Sequence, residues 1–190
     1  MTTLGAALGE HFFWITSRAA GVAALLASSA AVTLGLLMGG RLLKGRGPDL
    51  RVTHEALSLA TIVALLIHAL ALLGDGYLSP SLADLTIPLV SSFERLWMTM
   101  GIVAGWGLII LGLSYYARGR IGPARWRRLH RFTALAWILG VAHGLGQGTD
   151  AGSAWFLLST AAVVLPALAL LAVRLAPRAP TRAPAAPRWA

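Results

Sequence analysis

The chain has 190 residues, 57% of them apolar and only 12% charged, with a formal net charge of +9 and a mean hydropathy of +0.72. Soluble domains carry about 25% charged residues, so this composition excludes an ordinary soluble fold and points to lipid as the surrounding solvent. There is no cysteine, which excludes disulfides, thiolate metal sites and iron–sulfur clusters.

Five uncharged runs follow in chain order: Ala19–Gly40, Ala56–Gly74, Leu96–Ala117, Phe132–Thr149 and Ala151–Val173. A helix needs about 20 residues to cross the hydrocarbon core, and each run is long enough. The reading is an all-α membrane protein, a bundle of five transmembrane helices spanning residues 14–175. Residues 1–13 are read as a short outer segment. Residues 176–190, rich in Pro, Ala and Arg, are read as a disordered cytoplasmic tail. The first run is too long for a signal-peptide core and lacks a basic lead-in, so it is expected to be retained. Pro166 is expected to kink the last helix.

Basic residues mark the cytoplasmic side of a membrane. Arg41, Lys44, Arg46 and Arg51 lie in the first connection, six arginines from Arg118 to Arg131 in the third, and Arg174, Arg178, Arg182 and Arg188 after the last run. The second connection, Asp75–Glu94, carries only acids. The N-terminus is therefore expected outside and the C-terminus in the cytoplasm of a bacterial-type plasma membrane. Trp14, Tyr77, Trp97 and Trp155 fall at the outer boundary, and Tyr115, Tyr116 and Trp126 at the inner one. The arginines border spans, so they read as topology and anionic-lipid contacts, not as a nucleic-acid surface.

Four of the five histidines fall on the second and fourth runs: His54 and His68, then His130 and His143. At 1.5 Å per residue, each pair is separated along its helix by about 20 Å. Both helices run in one direction, so His54 matches the depth of His130, and His68 that of His143. Zinc takes three or four ligands around one ion, and no acid lies in the runs to complete such a sphere. Haem iron takes two axial ligands from opposite sides, so the pattern predicts one bis-histidine haem b in each leaflet. Fourteen positions leave His54 and His68 within about 40° of one face, whereas thirteen leave His130 and His143 about 140° apart on an ideal helix. Either His130 precedes the regular helix, or the helix is distorted near Gly140 or Gly144. His11 lies outside the pattern and reads as a surface residue.

The stretches "RVTHEALSLATIVALLIHALALLGDGYL" and "RLWMTMGIVAGWGLIILGLSYYARGRIGPARWRRLHRFTALAWILGVAHGLGQGTDA" resemble the ferric-reductase-like transmembrane domain, a superfamily that includes NADPH oxidases and ferric reductases. The resemblance covers roughly Trp14 to Val173. It implies His54 and His130 as ligands of an inner haem and His68 and His143 as ligands of an outer one. It also implies electron flow to an extracytoplasmic acceptor: a ferric or cupric complex, dioxygen or a redox protein. Members with a six-helix domain have one more N-terminal helix than is read here. No G-x-G-x-x-G follows the last run, so the expected donor is a separate flavoprotein, bringing a flavin, or a membrane quinol.

Around the histidines, Trp137 has two readings, as an aromatic between the two macrocycles or as ordinary core. Trp106 is its rival for the first role. Arg18 reads either as a propionate partner or as a snorkelling side chain. Arg51, Arg127, Arg128 and Arg131 stand where inner propionates or a donor would lie. Gly21, Gly35, Gly101, Gly105, Gly140 and Gly144 suit close helix or porphyrin approach. Two other functional classes fit the pattern less well. One is a haem-free transporter using His68 and His143 as a proton relay, for which acids within the spans are missing. The other is an anchor subunit for a separate redox enzyme.

Overall fold

The computed structural model describes residues 3–40 and 47–177, with side chains from His11 onward. Residues 178–190 of the tail read as disordered, and Arg41, Lys44 and Arg46, lie outside the described residues. Every regular element within them is a helix: α1 (Thr3–Gly39), α2 (Gly47–Leu73), α3 (Leu82–Thr86), α4 (Arg95–Leu113), α5 (Arg118–Ile121), α6 (Pro123–His130), α7 (Thr133–Gln147) and α8 (Ala154–Leu175).

Four of these are long and apolar enough to cross a membrane: α1 over His11–Gly39, α2, α4 and α8. They coincide with four of the five uncharged runs, and α1 extends back through the segment before Trp14. Pro166 is accommodated within α8, which continues to Leu175. The fifth run behaves differently. It forms the 15-residue α7, about 22 Å long and shorter than a hydrocarbon core of about 30 Å.

The approach to α7 is built from short pieces. Gly122 sits at φ 90°, a left-handed position that glycine adopts freely, and turns α5 into α6. Pro123 then opens α6 at a position where its missing N–H costs nothing. Between α6 and α7 the chain breaks at Arg131–Phe132. There the Thr133 hydroxyl donates to the His130 carbonyl at 2.6 Å, taking an acceptor that a continuous helix would use.

α1 is the central element, packed against α2, α7 and α8, while α4 packs chiefly on α7. The core gathers Trp137, Val164 and Ala167 with Val32, Leu108, Val141 and Val163, joining α1, α4, α7 and α8. Large apolar side chains such as Val63, Leu70, Ile110, Leu158 and Leu165 face outward, as expected where the solvent is hydrocarbon. The walls that carry the four histidines, α2 and α6–α7, pack mainly on α1 and α4 rather than on each other.

Two facing histidine pairs

α2 is one uninterrupted helix, so its period alone places His54 and His68 on one side about 21 Å apart. On the opposite wall His130 is the last residue of α6 and His143 lies within α7. The break at Arg131–Phe132 therefore supplies the rotation that thirteen helical positions lack. His130 precedes the regular helix, which decides between the two geometries left open by the spacing.

The expected depth match is present. The rings of His54 and His130 are 6.3 Å apart between centroids with planes at 85°, and those of His68 and His143 are 6.4 Å apart at 74°. These separations can be compared with a metal between two imidazoles. A metal–imidazole bond of about 2.0–2.1 Å and a ring radius of roughly 1.2 Å from partial-double bonds near 1.33 Å place the two centroids about 6.4 Å apart. Both pairs meet that distance. Among the described residues no three His, Cys, Asp or Glu side chains come together as a metal cluster; each layer offers two imidazoles.

Three of the four rings are also held in the tautomer that ligation requires. His54 Nδ1 donates to the Ala31 carbonyl at 2.8 Å, His68 Nδ1 to the Ser17 carbonyl at 2.8 Å, and His143 Nδ1 to the Trp97 carbonyl at 2.8 Å. A carbonyl carries no proton, so each Nδ1 must bear one, and the lone pair is left on Nε2. Metal-binding histidines usually donate their second nitrogen in this way. Ser17 adds to the hold on His68: its hydroxyl donates to the His68 carbonyl at 3.1 Å and lies 3.0 Å from Nδ1.

A single sequence device makes these contacts possible. Each accepting carbonyl stands four residues before a glycine: Ser17 before Gly21, Ala31 before Gly35, Trp97 before Gly101. Residues four apart share a helix face, so a side chain there would cover the carbonyl. A Cβ added at Gly21 would lie 3.0 Å from His68 Nδ1, at Gly35 3.2 Å from His54 Cε1, and at Gly101 2.7 Å from His143 Nδ1. The fourteen-residue interval between Gly21 and Gly35 matches that between the two histidines they receive. Gly105, Gly140 and Gly144 do not serve the rings; nothing lies near the first, and the other two face Ala104 and Leu25.

His130 is held otherwise. Its ring stacks on Trp126, 5.0 Å between centroids and 26° between planes, and its enclosed Nδ1 makes no hydrogen bond of good geometry. The α4 backbone at Leu111 is its neighbour, and four residues on from Leu111 stands Tyr115, not glycine. Trp126 is itself fixed, with Nε1 donating to Ser114 Oγ at 3.2 Å. Beside this layer the Tyr116 hydroxyl donates to Glu55 at 2.7 Å, a bond that raises the Tyr116 pKa above its ordinary value.

Trp137 is 1% exposed and belongs to the core. Its Nε1 donates to Ser29 Oγ at 2.9 Å, and Ser29 donates on to the Leu25 carbonyl at 2.7 Å. Ser29 lies between Gly21 and Gly35 along α1, so Trp137 occupies a depth between the two layers. Trp106 instead lies half-exposed on α4 and donates to the Thr86 carbonyl. Arg18 forms a two-pronged ion pair with the buried Asp150, and its guanidinium stands 4.9 Å from the Trp14 ring. Arg51, Arg127, Arg128 and Arg131 are exposed near the His54/His130 layer, and His11 is exposed. Ser17 and Ser29 escaped the sequence reading, and Trp126 was read only as a boundary aromatic; the recurring fourteen-residue intervals on α1 and α2 were the available signal for Ser17.

A helical bundle of membrane character thus presents two facing imidazole pairs at two depths. The family comparison agrees: residues 20–141 match the family model "Ferric reductase like transmembrane component", and the chain belongs to that family. No curated protein and no solved structure matches the chain.

Proposed function

We propose that the chain is a di-haem b-type cytochrome that moves electrons across a bacterial-type plasma membrane. In this reading α6 and α7 together complete a fifth crossing, the N-terminus lies outside, and the basic connections lie in the cytoplasm. His54 and His130 hold the inner haem, and His68 and His143 the outer one. The observation that carries the reading is the pair of centroid separations, 6.3 and 6.4 Å. Family membership supports transmembrane electron transfer of this kind.

Bound there, haem b supplies the one-electron couple, tuned by its two axial imidazoles and their hydrogen bonds. The chain's residues do the remaining work. Ala31, Ser17 and Trp97 carbonyls fix three imidazoles with Nε2 free. Trp126 orients the fourth by stacking. Trp137 and Ser29 fill the interval between the layers with a rigid, hydrogen-bonded aromatic. Arg18 acts on the outer site as a positioning residue, since its bond to Asp150 ties the turn of α1 that contains Ser17 to the α7–α8 connection. The donor is a cytoplasmic flavoprotein or a membrane quinol at the inner layer. The acceptor is an extracytoplasmic ferric or cupric complex, dioxygen or a redox protein.

The test is haem b per chain, measured as the pyridine haemochrome on detergent-purified protein, with reduced-minus-oxidised spectra. Wild type is expected to hold two, and His68→Ala and His130→Ala one each. Purified wild type without haem refutes the reading.

A further inference from the structure

The connection between α2 and α4 reads in sequence as an outer loop, yet two hydrogen bonds tie it to the flank of a spanning helix. Trp106 lies eleven residues into α4, about 16 Å along the axis, and its Nε1 donates to the Thr86 carbonyl at 2.9 Å. Nearer the start of α4, the Leu89 N–H donates to Thr99 Oγ1 at 3.0 Å. Residue 86 thus lies beside 106, and 89 beside 99. The chain descends along α4 through α3 and climbs back to Glu94. Helical side chains lean toward the N-terminus of their helix, which places the Thr86 carbonyl about 10 Å below the level of Arg95, well inside a leaflet about 15 Å deep.

Three further features fit a segment made to leave water. Among the described residues, the non-glycine positions with positive φ are Ser79, Leu89 and Glu94, all in this connection. Left-handed backbone is unfavourable for L-residues, and these positions bend the chain at its entry, within its return limb and at its exit. The backbone also finds local partners: Ser81 N–H reaches Asp84, Asp84 N–H reaches Ser81 Oγ, Ile87 N–H the Ala83 carbonyl, and Phe93 N–H Ser91 Oγ, while Pro88 has no N–H. Each such bond removes one of the unpaired groups that make irregular backbone costly away from water. Finally, Leu82, Ile87, Leu89, Val90 and Phe93 all point outward, continuous with the exposed Leu96, Val103 and Ile110 of α4.

We propose that residues 79–94 form a re-entrant wedge in the leaflet at the His68/His143 end of the bundle, with lipid acyl chains covering its apolar face. Asp84 turns its carboxylate back along α3 to the Ser81 N–H and hydroxyl. The wedge depends on α4 crossing the membrane and is independent of haem at the histidine pairs.

The absence of cysteine allows a direct test. Ile87→Cys, Val90→Cys, Phe93→Cys and, as a water-facing reference beyond α2, Gly76→Cys are each labelled with an environment-sensitive fluorophore and reconstituted in liposomes. At 87, 90 and 93 the emission is expected to shift to the blue and to be largely lost when acyl-chain nitroxide lipids are included, with no response to iodide. At 76 the reverse is expected. Iodide quenching at 87, 90 and 93 equal to that at 76 overturns the proposal. So does shielding that disappears when protein is diluted in lipid, because a second copy would then be the cover.

Discussion

Gly101→Ala isolates the geometry of one ligand. The added Cβ would stand 2.7, 2.8 and 2.9 Å from three atoms of the His143 ring, where ordinary contact begins at 3.4 Å. The ring must retreat by about 0.7 Å, whereas metal-site distances tolerate only about ±0.2 Å. Losing the Nδ1 bond to Trp97 costs about 0.5–1.5 kcal/mol, and alanine in place of glycine within a helix returns roughly 0.5–1 kcal/mol. Overall stability is therefore expected to change little while one haem site fails. Gly105→Ala is the matched control on the same helix, since nothing lies within 4 Å of its Cβ. The assay is haem per chain and the low-spin α-band of purified protein, with thermal unfolding alongside. Gly101→Ala should lose one low-spin haem, and Gly105→Ala should keep both and unfold at slightly higher temperature. Gly21→Ala and Gly35→Ala, with closest approaches of 3.0 and 3.2 Å, should show progressively milder losses. Two intact low-spin haems in Gly101→Ala would refute the idea that glycine shapes the ligand seat.

The imidazole planes lie at 85° and 74°, so the oxidised holoprotein is expected to give ferric electron paramagnetic resonance signals of the large-gmax type; two rhombic signals typical of parallel planes would contradict this geometry. Trp137→Phe removes the bond to Ser29 and should cost about 1 kcal/mol, whereas Trp137→Ala should cost about 3–5 kcal/mol, both read from unfolding in detergent. Equal effects would place Trp137 outside the core. Arg18→Ala leaves the buried Asp150 carboxylate unpaired, a loss of about 3–5 kcal/mol for a fully buried pair and expected at the lower end because Arg18 is 37% exposed. Arg18→Ala with Asp150→Asn should recover much of it, measured by the same unfolding assay.

The long spans were legible because uncharged runs of membrane length have few alternative fates, and the depth match of the histidines because fourteen and thirteen residues give nearly equal rises. The thirteen-residue spacing called for a departure from regular helix, but its place before α7 and not at Gly140 or Gly144 was not legible. Arg131 and Phe132 suit a helix, and only the Thr133 hydroxyl taking the His130 carbonyl hints at an interruption. Gly21, Gly35 and Gly101 stood out as sites of close approach, but their tie to particular histidines depends on how α1 meets α2 and α4 meets α7. Arg18 offered no sign of Asp150, 132 positions away. Trp126 read as an interfacial anchor, a role its rank in the chain suits equally well. The fold of residues 79–94 against α4 was hidden for a similar reason, since it hangs on Trp106 as donor and Thr99 as acceptor.

The two walls of the bundle differ mechanically. One is a rod: His54 and His68 ride on a single unbroken helix and must tilt together. The other is divided at Arg131–Phe132, so its two imidazoles sit on separate pieces: α6 is held through Trp126 on Ser114, and α7 through Trp137 on Ser29 and His143 on Trp97. Each imidazole of that wall thus has an anchorage of its own, whereas those of α2 share one.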